Sequence, residues 1–133
     1  MSEPEQVITG DSPAQSFIGY VVHIFEDRTE VHLELREDHL NRRRKVHGGI
    51  LALMMDSACG YAASRALHPQ AKQLVVSLNL QTNFLNPAEG ERLTCVARVD
   101  KAGRKVVFSS AEIRDANNQL VATGNGTFKA VDR

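Results

Sequence analysis

The sequence predicts an α+β domain in which one long central helix is wrapped by a curved antiparallel sheet of five to six strands. Three observations carry that expectation. Residues 50–67 are apolar on almost every side and are mostly good helix formers. Runs that alternate apolar and polar residues flank that segment, each bounded by turn residues. A helix apolar all round needs cover on all sides, and a single curved antiparallel sheet supplies most of it. Helix surface and sheet edge left uncovered would be apolar, so the fold is expected to complete itself against a second copy.

Taken in order, residues 1–12 are polar and contain Gly10 and Ser12 ahead of Pro13, which reads as a loose leader to a single domain over 13–133. Pro13-Ala14-Gln15-Ser16-Phe17-Ile18 reads as the start of a short helix. Tyr20, Val22 and Ile24 then alternate with Val21, His23 and Phe25, Asp27-Arg28 turns the chain, and Val31, Leu33 and Leu35 alternate with His32, Glu34 and Arg36. That pattern is a hairpin. A charged, irregular stretch over 37–46 delivers the chain to His47-Gly48-Gly49 and the long helix, which His68-Pro69 ends. Three strands follow over 73–85, 92–100 and 104–114, separated by Asn86-Pro87-Ala88-Glu89-Gly90 and Lys101-Ala102-Gly103. The turn Asp115-Ala116-Asn117-Asn118 leads to a last strand over 120–131.

At 133 residues and 42% hydrophobic content the chain suits one domain with one core. Sixteen basic residues balance sixteen acidic ones, so no global field exists to hold a nucleic acid or an acidic membrane surface. Phosphate recognition must be local. The start Met-Ser-Glu-Pro-Glu-Gln lacks a basic-then-apolar signal, and no run approaches the roughly eighteen apolar residues of a membrane span, so a cytoplasmic protein is expected. Cys59 and Cys95 are too few for a disulfide framework, and His23, His32, His39 and His68 show no zinc-ligand spacing. Neither a metal nor another cofactor is expected.

The chemistry concentrates at the helix. Between Gly48 and Leu67 the only charged side chains are Asp56 and Arg65, and Arg65 lies near the exit. A carboxylate in mid-helix within apolar surroundings is costly unless it is paired or used, which makes Asp56 either a functional group or a structural aspartate bonded to a neighbour. Gly48-Gly49 at the helix start leaves unpaired N–H groups where the helix dipole is positive. Such a turn can hold a developing oxyanion or simply let the chain bend. Eight residues separate Gly48 from Asp56, roughly 12 Å along the axis. A base must act within about 3 Å of the attacked centre or through one water, so the two groups are expected to meet only across a dimer interface, giving two equivalent sites.

The spacing Asn41, His47-Gly48-Gly49, Asp56, followed by Val76-Ser77-Leu78-Asn79-Leu80 and Phe84-Leu85-Asn86-Pro87-Ala88, resembles the PaaI-like (phenylacetic-acid-pathway) acyl-CoA thioesterases of the hotdog superfamily. The likeness runs from about Phe17 to Val131. It implies hydrolysis of acyl-CoA, with Asp56 as the general base for water or as a nucleophile, and the Gly48 N–H polarising the thioester carbonyl. It further implies that His47 and Asn41 shape the site, that Ser77 helps place the water, and that the chains assemble as a dimer of dimers. Members often carry a glycine between the asparagine and the histidine, whereas this chain has Arg42-Arg43-Arg44-Lys45-Val46 there. Arg42 and Arg44 are candidates for the phosphates of CoA, with Arg104 and Lys105 a second candidate pair. The other reading of the run is a solvated loop.

Cys59 lies three residues from Asp56, and a neighbouring carboxylate raises a thiol pKa, so it reads as packing and not as a nucleophile. Two rival functions stand beside hydrolysis: an acyl-thioester hydratase or dehydratase on the same fold, and a non-catalytic acyl-CoA-binding module. The first needs a histidine-acid pair whose usual motifs do not surround His47 and Asp56. A ligand sensor for transcription would need a DNA-binding domain, for which the residues before Pro13 leave no space.

Overall fold

A computed structural model describes residues 3–132. Its elements are β1 (Gln6–Ile8), α1 (Pro13–Ile18), β2 (Val21–Ile24), β3 (Thr29–Glu34), α2 (Gly48–Leu67), β4 (Val75–Phe84), β5 (Arg92–Ala102), β6 (Val106–Asp115) and β7 (Leu120–Ala130), with a 3-10 turn at Glu37–His39. The strands form one antiparallel sheet in the order β1-β2-β3-β5-β6-β7-β4. The expected helix and six strands are all present, and β1 makes seven.

That extra strand corrects the reading of residues 1–12 as a loose leader. Gln6, Val7 and Ile8 pair with Ile24, His23 and Val22 of β2, whose outer row of N–H and C=O groups is otherwise open. Buried Gln15 locks the arrangement, its side-chain amide donating to Ile8 O at 2.8 Å and to Tyr20 O at 3.1 Å. Ser12 caps α1 by accepting the Gln15 N–H, and Gly19 closes it in the left-handed region at φ 93°. A three-residue strand is too short to announce itself by alternation.

The helix α2 lays Leu51, Met54, Met55, Ala58, Cys59, Ala62 and Ala63 against the sheet, a stripe at i, i+3, i+4, i+7 spacing. From the sheet, Val22, Ile24, Val31, Leu33, Leu93, Cys95, Val107, Ile113 and Phe128 meet it in one continuous core. Gly124 brings β7 close to the helix: a Cβ there would sit 2.5 Å from Gln81 O and 2.8 Å from Met55 Sδ. The opposite helix face, with Leu53, Asp56, Ser57, Gly60 and Tyr61, is only half-buried. Beside it β4 is the sheet edge, pairing with β7 alone, and Val76, Leu78, Phe84 and Leu85 are each about half exposed. No helix among the described residues is long and apolar enough to cross a membrane.

Candidate active site

His47 begins the site by capping α2. Its backbone is extended, and its Nδ1 accepts the Gly49 N–H at 2.8 Å. The expectation that Gly49 offers an open N–H is thereby corrected, because the imidazole beside it already takes that proton. His47 O accepts from Ile50 and Leu51, and among the described residues no acceptor takes the Gly48 N–H. Gly48 therefore presents the available donor at the positive end of the helix. It opens to a cavity of about 400 Å³ shared with Arg43, Lys45, Leu51, Phe84 and Pro87.

Asp56 faces a different cavity, of about 610 Å³, lined also by Ser57, Gly60, Tyr61, Ser77 and Phe128. Within one chain it is half-buried. Ser77 Oγ donates to Asp56 Oδ1 at 2.5 Å. A bulge aims that hydroxyl: Ser77 pairs with Phe128 and Asn79 with Thr127, so Leu78 is the extra residue that bends β4. Asp56 thus keeps Oδ2 for a second partner while one oxygen is fixed. One chain places its carboxylate and its Gly48 donor in separate cavities, as the helical rise requires.

The arginine run forms a tight turn organised by Asn41. Its Oδ1 accepts the N–H groups of Arg43 at 2.9 Å and Lys45 at 3.2 Å, while Leu40 and Val46 bridge behind it. Asn41 itself lines neither cavity. Arg44 occupies the left-handed region at φ 64°, where glycine is unstrained and another residue costs about 1–2 kcal/mol. Its guanidinium pairs with Glu37. Arg42 is exposed, and the cations that line the Gly48 cavity are Arg43 and Lys45, which the sequence reading did not single out. Arg104 and Lys105 are exposed in the β5–β6 turn and line neither cavity.

Two further residues escaped the sequence reading. Tyr61, five positions beyond Asp56, donates its hydroxyl to Asp11, and both line the Asp56 cavity. Burial and then the Asp11 carboxylate push the phenol pKa up, which keeps it a donor. Five residues are about 1.4 helical turns, so sequence spacing alone does not set Tyr61 beside Asp56. The Cys59 thiol is pushed up to about 12 by burial and then by Asp56, as expected of a packing residue.

Residues 45–122 match the family model described as the thioesterase superfamily. The chain is 28% identical to acyl-coenzyme A thioesterase 13 of Homo sapiens, over 71% of this chain and 67% of that one. A thioesterase family protein from Silicibacter pomeroyi superimposes with a TM-score of 0.81 at 29% identity, covering 92% of this chain and 91% of its own. The E. coli PaaI protein from the phenylacetic acid degradation operon shares the fold, with a TM-score of 0.81 at 22% identity over 92% and 86% of the two chains.

Proposed function

The chain belongs to the thioesterase superfamily with the hotdog fold, and from that premise we propose that it hydrolyses acyl-CoA thioesters at two sites shared between the subunits of a dimer. In each site Asp56 of one subunit removes a proton from water. The water oxygen bonds to the thioester carbon while the Gly48 N–H of the other subunit holds the carbonyl oxygen as negative charge develops. The C–S bond then breaks, giving the acid and CoA thiolate, and Asp56 releases its proton to solvent or to the departing sulfur. Ser77 fixes one Asp56 oxygen and so orients the other toward the water. The observation that carries this reading is the separation of the two groups: Asp56 and Gly48 open to different cavities of one chain.

Support for the dimer comes from the open β4 edge beside the half-buried helix face. An antiparallel second copy laid along that edge would cover Val76, Leu78 and Phe84 and bring each Asp56 toward the partner's Gly48 turn. Further pairing of dimers into a tetramer extends the same reading. The acyl-CoA class rests on likeness to a relative named for it, together with Arg43 and Lys45 at the Gly48 cavity, which suit phosphates of CoA. Two buried, unpaired cysteines suit a cytoplasmic setting.

Subunit mixing tests the shared site. Gly48→Pro removes the N–H and keeps the helix start, because proline suits the first helical position, His47 before it is already extended, and an added Cβ would meet the Phe84 ring at an ordinary 3.5 Å. Asp56→Ala and Gly48→Pro homodimers should each be inactive. After co-refolding in equal amounts, half of the dimers are mixed and each carries one intact site, so about a quarter of wild-type activity should return. Recovery of no activity would place both groups in one subunit's site and overturn the proposal.

A further inference from the structure

Five histidines occur in the chain, and backbone groups occupy three of them. His39 is buried, with Nδ1 accepting from Arg36 N–H at 3.1 Å and Nε2 at 2.9 Å from Ile18 O. His47 caps α2, and His68 accepts the Gln70 N–H at 3.1 Å. The remaining pair meets on the outer face of the β2–β3 hairpin. His23 lies directly opposite Glu30, and His32 is two residues further along β3 on the same side. Their neighbours Val22, Ile24, Val31 and Leu33 point into the core, so His23, Glu30 and His32 project away from α2 and from Asp56.

We infer that His23, Glu30 and His32 form a binding site for a borderline-soft divalent ion of the Zn²⁺ class. One ligand atom from each of the three lies within 4.8 Å of the others. His32 Nε2 already sits 3.0 Å from Glu30 Oε1, and its Nδ1 is 3.3 Å from Thr94 Oγ1 on β5. An ion entering between Nε2 and Oε1 shifts the His32 proton to Nδ1, where Thr94 accepts it, so the ring changes tautomer and keeps its outer partner. The two imidazole rings are 4.6 Å apart, so one ion can reach a nitrogen of each.

Arg28 fixes the other side of Glu30, donating to Oε2 at 2.7 Å while its guanidinium lies 3.8 Å from the Phe25 ring centre. That leaves Oε1 for the ion, and the nearby positive charge makes the site exchangeable in character. Two imidazoles and one carboxylate select zinc, copper or nickel over magnesium or calcium. Thiols do not compete, because Cys59 and Cys95 are both fully buried. All three side chains are half-buried, so an ion would retain water.

Titration calorimetry of the full chain with zinc chloride tests the site, with magnesium chloride as the control. One zinc per chain should bind and magnesium should not. His23→Ala and His32→Ala should each weaken zinc binding at least about tenfold, comparable to the loss of a metal site's supporting groups. On the wild-type protein, zinc should shift the imidazole NMR signals of His23 and His32 and leave those of His39, His47 and His68 in place, a readout that needs no variant to fold. Absence of stoichiometric binding, unchanged affinity in both variants, or shifts centred on His47 or His68 would overturn the assignment.

Discussion

Ser77 Oγ on β4 donates to Asp56 Oδ1 on α2 across 2.5 Å, joining the edge strand to the one carboxylate of the central helix. Under the proposed mechanism this bond selects which Asp56 oxygen faces the water. Asp56→Ala should lower kcat about 10²- to 10⁴-fold, the usual weight of a general base. Ser77→Ala should cost about 10- to 100-fold in kcat with KM little changed, the equivalent of one hydrogen bond to a charged group. Steady-state kinetics on a panel of aryl, short, medium and long acyl-CoA compounds checks both; undiminished turnover in the Asp56 variant would sink the assignment.

Gly124 lies on β7 against Met55 of α2. An added methyl group would meet Gln81 O of the neighbouring strand at 2.5 Å, and backbone cannot rotate away as a side chain can. Gly124→Ala should therefore destabilise the fold by about 1–3 kcal/mol, the range for overpacking. The measurement is the urea midpoint at unchanged m-value.

Both cysteines are buried, and the Cys59 thiol is pushed up to about 12 by burial and by Asp56. Native protein at mildly alkaline pH should show no rapid reaction with a thiol reagent, and unfolded protein should titrate two groups. Rapid native labelling would contradict the packing role of Cys59.

Asp115 ties together the turns at the end of β6. Its carboxylate accepts N–H groups from Glu89 and Gln119 at 2.9 Å and from Asn117 at 3.0 Å. Burial raises its pKa, but those donors outweigh it and hold the carboxyl below its ordinary value. A folded value below the unfolded one means stability that is complete above the unfolded pKa of about 3.9 and is lost as pH falls through the folded value. Asp115→Asn should thus be less stable than wild type at neutral pH, and the gap should narrow in acid. Chemical denaturation at a series of pH values reads the difference; a gap that widens in acid would refute it.

Local pattern alone determined the long apolar helix with Asp56 as its lone central charge, the six strands around it, and the glycine pair at the helix start. Each is written in a repeat of a few residues, or in a single exception to one, and such signals survive without knowledge of distant neighbours. The separation of Gly48 from Asp56 followed as well, because helical rise is a fixed length per residue. Only tertiary structure decided the rest. A three-residue β1 pairs because β2 offers it an edge; the bulge at Leu78 turns Ser77 toward a carboxylate 21 positions away; His47 takes the Gly49 proton; and cross-strand register gathers His23, Glu30 and His32. These depend on which strand lies beside which and in what register, and register is settled by the packing of a whole face against the core, information that no short window of sequence contains.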